Sequence, residues 1–360
     1  MSRRFPLSDL QPRRIALVKP SALGDIVHSL PVLHALRVRY PEAHLTWIVN
    51  RAFEPLLRGH PELDAILPFD RQMGIRCVPA FAREMVRGRF DLVIDLQGLL
   101  RTGWMSVGSL ARRRIGLSSA REWAAWFYTD IIRVPDEDAM HAVDRYWLVA
   151  EAIGAGGVPK VFRLPRSAEA EAWAEDVLRL MPRPRFMVAP GSRWETKRWP
   201  VEHFAELLRR GLAASGGSVV LLGSQDEATL TGAIASSLRF SASSAVNPQS
   251  LNLLDLAGKT TLPQLVALLA RADVVLANDS GPMHLAAALG RPVIAPYTCT
   301  TIAQHGPYSQ DGAVATNVWC RGSYLKRCDR LECMSELTPD RLWPKLDEVL
   351  RRWQSHCRSA

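Results

Sequence analysis

Apolar and polar positions change along this chain block by block rather than residue by residue. Strand-length runs of nearly unbroken Val, Ile, Leu and Ala recur, separated by longer segments whose apolar residues fall at helical spacing. "IALVK", "LTWIVN", "AILPF" and "DLVIDL" are the strand candidates of the first half; "FMVAP", "SVVLLG", "DVVLAND" and "PVIAPY" are those of the second. A strand that is apolar on both faces must be covered on both. That pattern predicts parallel sheets with crossover helices, an α/β fold of the doubly wound kind.

The rhythm breaks once, at "GAGGVPKVFRLPRSAEA" (residues 154–170), where Gly and Pro concentrate before a fresh helix. A chain of 360 residues exceeds what one hydrophobic core holds, so the break predicts two domains, 1–165 and 166–337. From Cys299 to Leu337 the alternation gives way to irregular sequence. "TPDRLWPKLDEVLRRW" then predicts a terminal helix within 338–360, capped by Thr338 with Pro339 at its first position, able to pack back on the N-terminal domain. Two such domains are expected to face a cleft, and open α/β sheets bind ligands beyond the carboxyl ends of their strands. The strand-to-helix junctions are therefore the places to look for chemistry.

The first junction, "KPSALGD", lacks the G-x-G-x-x-G dinucleotide fingerprint, and no segment matches the phosphate-binding G-x-x-x-x-G-K-[ST]. A tight turn at Gly24 is expected to let Asp25 open the next helix. Asp25 then reads either as a helix cap or as a carboxylate aimed into the cleft. In "ANDSGPMHLAAALGRP" (277–292) a strand runs into Asp279, Ser280 and Gly281 and then a helix carrying His284, a ready anion site at a helix start. "APGSRWETKRWP" (189–200) repeats the plan: Lys197 is a point charge suited to a diphosphate, and Ser192 and Thr196 are short donors. "LLGSQDE" (221–227) adds Ser224 and Gln225, and Thr260 completes the expected donor set. A capped helix with a core histidine, and a solvated basic loop, are the plainer readings of the second and third junctions. Three phosphate-friendly loops in the second half nonetheless point to a nucleotide diphosphate there. None of them carries an Asp-x-Asp pair for Mg²⁺, so no metal is expected in the site and no cofactor is implied.

Charge adds one constraint. The chain carries 45 Lys and Arg against 36 Asp and Glu, a net charge of +9. That suits an anionic partner, whether nucleic acid, an acidic membrane surface or a phosphorylated or carboxylated substrate; arginine-rich solvated helix faces give the same excess. A nucleic-acid binder would interleave aromatics with a basic stripe or carry a known module, and neither is present. No run approaches the ~20 apolar residues of a membrane span and no signal core precedes the first strand, so the protein is expected in the cytoplasm. "EWAAWFY" (122–128) reads as a core stripe or as a surface resting on a membrane. The six cysteines, Cys77, Cys299, Cys320, Cys328, Cys333 and Cys357, are expected to be reduced. Seven and four residues separate Cys320, Cys328 and Cys333, unlike C-x-x-C zinc pairs, although with Cys299 they could meet in space.

"IALVKPSALGDIVHSLPVLHALR", "FDLVIDLQGLLRTG", "SAREWAAWFY", "HAVDRYW", "KRWP" and "DSGPMHLAAALGRPVIAPY" together resemble the bacterial lipopolysaccharide heptosyltransferases of glycosyltransferase family 9. The resemblance runs in order over residues 13–310, and the N-terminal set is most similar to heptosyltransferase I. It implies the GT-B architecture, two Rossmann-like doubly wound domains facing a cleft, with an N-terminal acceptor domain and a C-terminal donor domain. It implies an inverting transfer of heptose from ADP-heptose to the Kdo sugars of lipid A, peripheral to the cytoplasmic face of the inner membrane, with no nucleic acid involved. By the same resemblance Asp25 matches the catalytic base and Lys197 the diphosphate-binding lysine. Asp279, Ser280, Gly281 and His284 match the donor signature, and Arg121 and Arg145 match arginines that hold the anionic acceptor. Two departures stand out: Gln225 replaces a Glu near the nucleoside, and Thr298-Cys299 replaces Gly-Pro. The competing functions are a family 9 enzyme moving another sugar to another surface polysaccharide, and a non-catalytic nucleotide-sugar or nucleic-acid binding protein.

Overall fold

In the first half of the chain six strands, β1 (Arg14–Val18), β2 (His44–Asn50), β3 (Ala65–Phe69), β4 (Leu92–Asp95), β5 (Arg113–Leu117) and β6 (Asp130–Ile132), pair in the order β3-β2-β1-β4-β5-β6. Every pairing is parallel, with Val18 of β1 opposite Ile48 of β2 on one side and Asp95 of β4 on the other. In the second half β7 (Arg185–Ala189), β8 (Ser218–Leu221), β9 (Leu253–Asp255), β10 (Val274–Ala277), β11 (Val293–Tyr297) and β12 (Ala313–Ala315) form a second parallel sheet, β12-β11-β10-β7-β8-β9. This is a computed structural model, and it describes residues 6–70, 78–242 and 252–359. Cys77 lies outside the described residues. The chain divides into two compact units, Met1–Pro165 and Arg166–Ala360.

Both sheets have the same topology, and its consequence is local. The chain winds outward in one direction from β1 to β3, then returns to β1's other side with β4; it does the same from β7 to β9 and back to β10. The loops after β1 and β4, and those after β7 and β10, therefore diverge at topological switch points, where open α/β sheets leave a crevice.

The helices that flank these points are α1 (Leu23–Arg39), α2 (Leu100–Gly108) and α3 (Ala142–Ala152) in the first unit. In the second they are α4 (Val201–Ser215), α5 (Gly281–Ala288) and α6 (Pro339–Ser359). Gly24 is a helical residue inside α1, so the expected turn at Gly24 is corrected: the helix opens earlier and Asp25 sits in its first turn. The terminal helix starts at Pro339, and Leu342, Leu346 and Leu350 recur at its helical spacing. They are buried with Phe204, Leu207 and Leu208 of α4, so the apolar stripe of α6 closes the second unit's core. The irregular stretch from Cys299 to Leu337 contains β12 and two short helical turns, Ile302–His305 and Glu332–Glu336.

Candidate functional site

Asp25 lies beyond the end of β1, beside the first switch point. Its Oδ2 accepts from the backbone N–H of Ala22 at 3.1 Å, the N-cap contact that the sequence allows. Its Oδ1 does more. Tyr146 of α3 donates its hydroxyl to it at 3.1 Å, and the Lys19 ammonium stands 3.9 Å away. Lys19, the first residue after β1, is buried; it donates to the Tyr146 oxygen at 2.7 Å and to the Leu96 carbonyl, beyond β4, at 2.9 Å. Lysine thus bridges the two strands of the switch point and, through tyrosine, reaches the carboxylate. Burial alone would lower the Lys19 pKa, but Asp25 and Tyr146 outweigh it and leave it raised. Burial and then the Asp25 charge push the Tyr146 phenol up, so it stays a proton donor. Asp25 keeps about a third of its side chain exposed, 35%. An oriented, charge-supported carboxylate that still meets solvent can accept a proton from a bound hydroxyl.

Arg145 adjoins Tyr146 on α3, its guanidinium 5.8 Å from the Tyr146 ring and 3.5 Å from Glu137. Arg121 is exposed on the loop after β5, where its backbone N–H donates to the Gly98 carbonyl. One expected acceptor arginine therefore flanks the Asp25 centre, and the other stands on a separate strand's loop. His28 and His141, which the sequence reading passed over, pack ring against ring at 5.1 Å between α1 and the N-cap of α3.

The second switch point centres on Asp279, buried at the end of β10. Lys197, on the loop after β7, donates to Asp279 Oδ2 at 2.6 Å, and Thr300, beyond β11, donates to the same oxygen at 2.6 Å. His284 Nε2, one turn into α5, is 3.6 Å from Oδ1. Burial works against the charge, but His284 and Lys197 overcome it and hold the Asp279 carboxyl well below the usual carboxylate range. Ser280 is the N-cap of α5, with Gly281 at its first position; the Ser280 hydroxyl is buried without a hydrogen-bond partner among the described residues.

Two of the hydroxyls expected to meet the donor make contacts within the unit. Ser192 donates to the Asp279 carbonyl at 3.4 Å; Thr196 is buried and donates to the Leu325 carbonyl at 2.6 Å and to Cys299 Sγ at 3.2 Å. They brace the loop that presents Lys197. The departure at Thr298-Cys299 belongs to the same bracing, since Thr298 donates to the Thr196 carbonyl. The Lys197 ammonium also lies 4.5 Å over the Trp194 ring, and Lys326, from the segment expected to be irregular, lies 5.5 Å over the same ring. Thr300 and Lys326 are additions to the expected set. Thr300's only sequence signal was its place at the end of a strand neighbouring β10.

The third junction holds Ser224 and Gln225 exposed at the end of β8. Glu227, absent from the expected set, accepts from the Ser224 N–H at 2.8 Å, the S-x-x-E cap signature. A Cβ on Gly191 would come within 1.8 Å of the Glu227 carboxylate, so the loops after β7 and β8 meet closely there. Gln225 is pressed likewise against Gly258, whose Cβ would fall 2.2 Å from its Oε1, with half-buried Thr260 two residues on. Three loops converge around one strand terminus.

Among the described residues no group of three or more His, Cys, Asp or Glu is placed to hold a metal. Cys299, Cys320, Cys328, Cys333 and Cys357 are free. Burial, then the neighbouring Cys320 and Cys328, push the Cys333 thiol up to about 11, which keeps it protonated at neutral pH. The Asp136-Glu137-Asp138 triplet is a turn: Asp136 accepts from the N–H groups of Asp138 and Ala139. No helix among the described residues is long and apolar enough to cross a membrane.

The family model of glycosyltransferase family 9 (heptosyltransferase) matches residues 78–334. The lipopolysaccharide core heptosyltransferase OpsX of Haemophilus influenzae is 27% identical over 309 residues, spanning 85% of this chain and 84% of that one. Lipopolysaccharide heptosyltransferase 1 of Pseudomonas aeruginosa is 27% identical over 376 residues, 94% of this chain and 98% of that one. The solved structure of Escherichia coli ADP-heptose lps heptosyltransferase II superposes with a TM-score of 0.73 at 26% identity, covering 95% of this chain and 99% of that chain. The two doubly wound units are the GT-B architecture of such enzymes.

Proposed function

The chain belongs to glycosyltransferase family 9, the heptosyltransferases, and from that premise we propose that it transfers heptose from ADP-heptose to a Kdo sugar of lipid A, with inversion at the anomeric carbon. Relatives of both the first and the second heptosyltransferase type resemble it at similar identity. We assign it to the first type on the N-terminal motifs around Asp25 and Arg121. The observation that carries the reading is the contrast between the two aspartates that follow strands: Asp25 is oriented and part exposed, Asp279 buried and held by Lys197.

That contrast divides the chemistry. The acceptor hydroxyl oxygen bonds to the anomeric carbon while Asp25 takes its proton and the bond to the diphosphate breaks, ADP leaving with the electron pair. Ala22 N–H and Tyr146 O–H fix the carboxylate, and the Lys19 cation favours its charged form. On the donor side, the charge growing on the departing diphosphate needs preorganised donors. Lys197 and the N–H groups at the start of α5 supply them, with Lys326 a second cation near Trp194. Asp279 carries a charge that would repel a diphosphate, so it works through Lys197 and His284 as a positioning residue. Gln225, Thr260 and Glu227, on the loops after β8 and β9, are assigned to the nucleoside end of the donor. Arg145 and Arg121 hold the acceptor's anionic groups.

Incubating the protein with ADP-heptose and Kdo–lipid A and weighing the acceptor by mass spectrometry tests the assignment. One added heptose with release of ADP is expected. An unmodified acceptor, or transfer only from a different nucleotide sugar, contradicts it.

A further inference from the structure

The segment 122–128 is core only in part. Ala124 and Tyr128 are buried, but Trp123 is 70% and Trp126 78% exposed, their rings 5.1 Å apart. Trp104 of α2 is 59% exposed and lies 5.0 Å from the Phe127 ring. α2 packs against the 124–127 turn so closely that a Cβ on Gly103 would fall 2.6 Å from Phe127. Leu100, one turn before Trp104 on the same face of α2, is also exposed. The aromatic patch is therefore continuous across two elements. Glu122 and Trp123 both take left-handed backbone angles, φ 55° and 64°, which bulky residues rarely adopt. Glu122 is tied down there by accepting from the Leu100 N–H at 3.2 Å.

The stretch of chain that carries the patch is basic. Residues 98–133 contain six arginines, at 101, 112, 113, 114, 121 and 133, against two acids, Glu122 and Asp130. Asp130 is paired with Arg113 at 2.8 Å, while Arg101, Arg112, Arg121 and Arg133 are exposed. Tryptophan favours the boundary between headgroups and acyl chains, and arginine the phosphates above it. A second copy of the chain fits less well, because a twofold contact would set these arginines against their own images.

We propose that Leu100, Trp104, Trp123 and Trp126, with the exposed arginines of the same stretch, Arg101, Arg112 and Arg133, form a docking surface for an anionic lipid bilayer. It rests on the proposed reaction in that a lipid-linked acceptor lies in such a surface. The tryptophans enter the interface and the arginines meet the lipid phosphates, so binding requires both aromatic burial and negative lipid.

Sedimentation of the full chain with phosphatidylcholine vesicles, with and without phosphatidylglycerol, tests it. The wild type is expected to bind only the anionic vesicles, less tightly as salt rises. Trp123→Ser/Trp126→Ser should weaken that binding by about tenfold or more, with ADP binding and the melting temperature unchanged. Equal binding by the double variant, equal binding to neutral vesicles, or no vesicle binding by the wild type overturns the proposal. So does a dimer in sedimentation equilibrium that the double variant abolishes while vesicles stay unbound. Transfer onto a detergent-dispersed acceptor is read separately, and its absence with vesicle binding intact counts against the proposed reaction alone.

Discussion

Asp25 and Asp279 are the same residue type at the same kind of strand terminus, and their neighbours give them different work. For Asp25 the decisive neighbours are Lys19 and Tyr146. Tyr146→Phe removes the hydroxyl that links them without changing the volume of the site. We expect kcat to fall about tenfold, donor KM to hold, and the acid limb of the pH–rate profile to move to higher pH, because the carboxylate loses a donor that favours its charged form. An unchanged profile would show the tyrosine to be packing only. For Asp279 the folded pKa is depressed, so its ion pair stabilises the fold above the ordinary carboxylate range and is lost as pH falls through the folded value. Asp279→Asn leaves Lys197 without its partner and should cost ~3 kcal/mol at neutral pH. The melting gap between wild type and variant should narrow as the pH drops below about 4; a gap constant with pH would deny the ion pair its role. Asp25, Lys197 and Asp279 stood out as candidates in the sequence because each follows a strand in a recognisable motif. Lys19, Tyr146, Thr300 and Glu227 were not, because their roles rest on partners that only folding brings near.

Among the elements, the long buried strands were legible and the short ones were not. β1, β2, β3, β4, β7, β8, β10 and β11 are apolar enough to stand out. β6, β9 and β12 have three residues each at or near a sheet edge, where little apolar surface is needed. β5 lies inside its sheet yet begins with two arginines; Gly116 replaces a side chain there because the Tyr128 ring fills the space, a Cβ falling 2.1 Å from it. The terminal helix was legible in its extent from Thr338, Pro339 and its apolar spacing; its packing on α4 was not. Leu346 is fully buried against α4, so Leu346→Ala should destabilise the second unit by about 2–5 kcal/mol in chemical denaturation. A change below about 1 kcal/mol would mean that α6 adds little to that core.

Across the whole molecule one topology is used twice, and each copy carries its chemistry at the switch point between its first and fourth strands. In the first unit the switch point builds a supported carboxylate; in the second it builds a cationic cradle around Lys197 and the start of α5. Base and donor site are thus assigned to separate units, and a change in one should leave the other's binding intact. Asp25→Asn is nearly isosteric and keeps the helix-cap geometry, so it removes the proton acceptor alone. The measurement is kcat for heptose transfer together with ADP-heptose affinity, on wild type and Asp25→Asn, with melting as the folding control. A fall in kcat of about 10² to 10⁴ with donor affinity preserved is expected. Near-normal turnover in Asp25→Asn would contradict it and leave Asp25 as a helix cap.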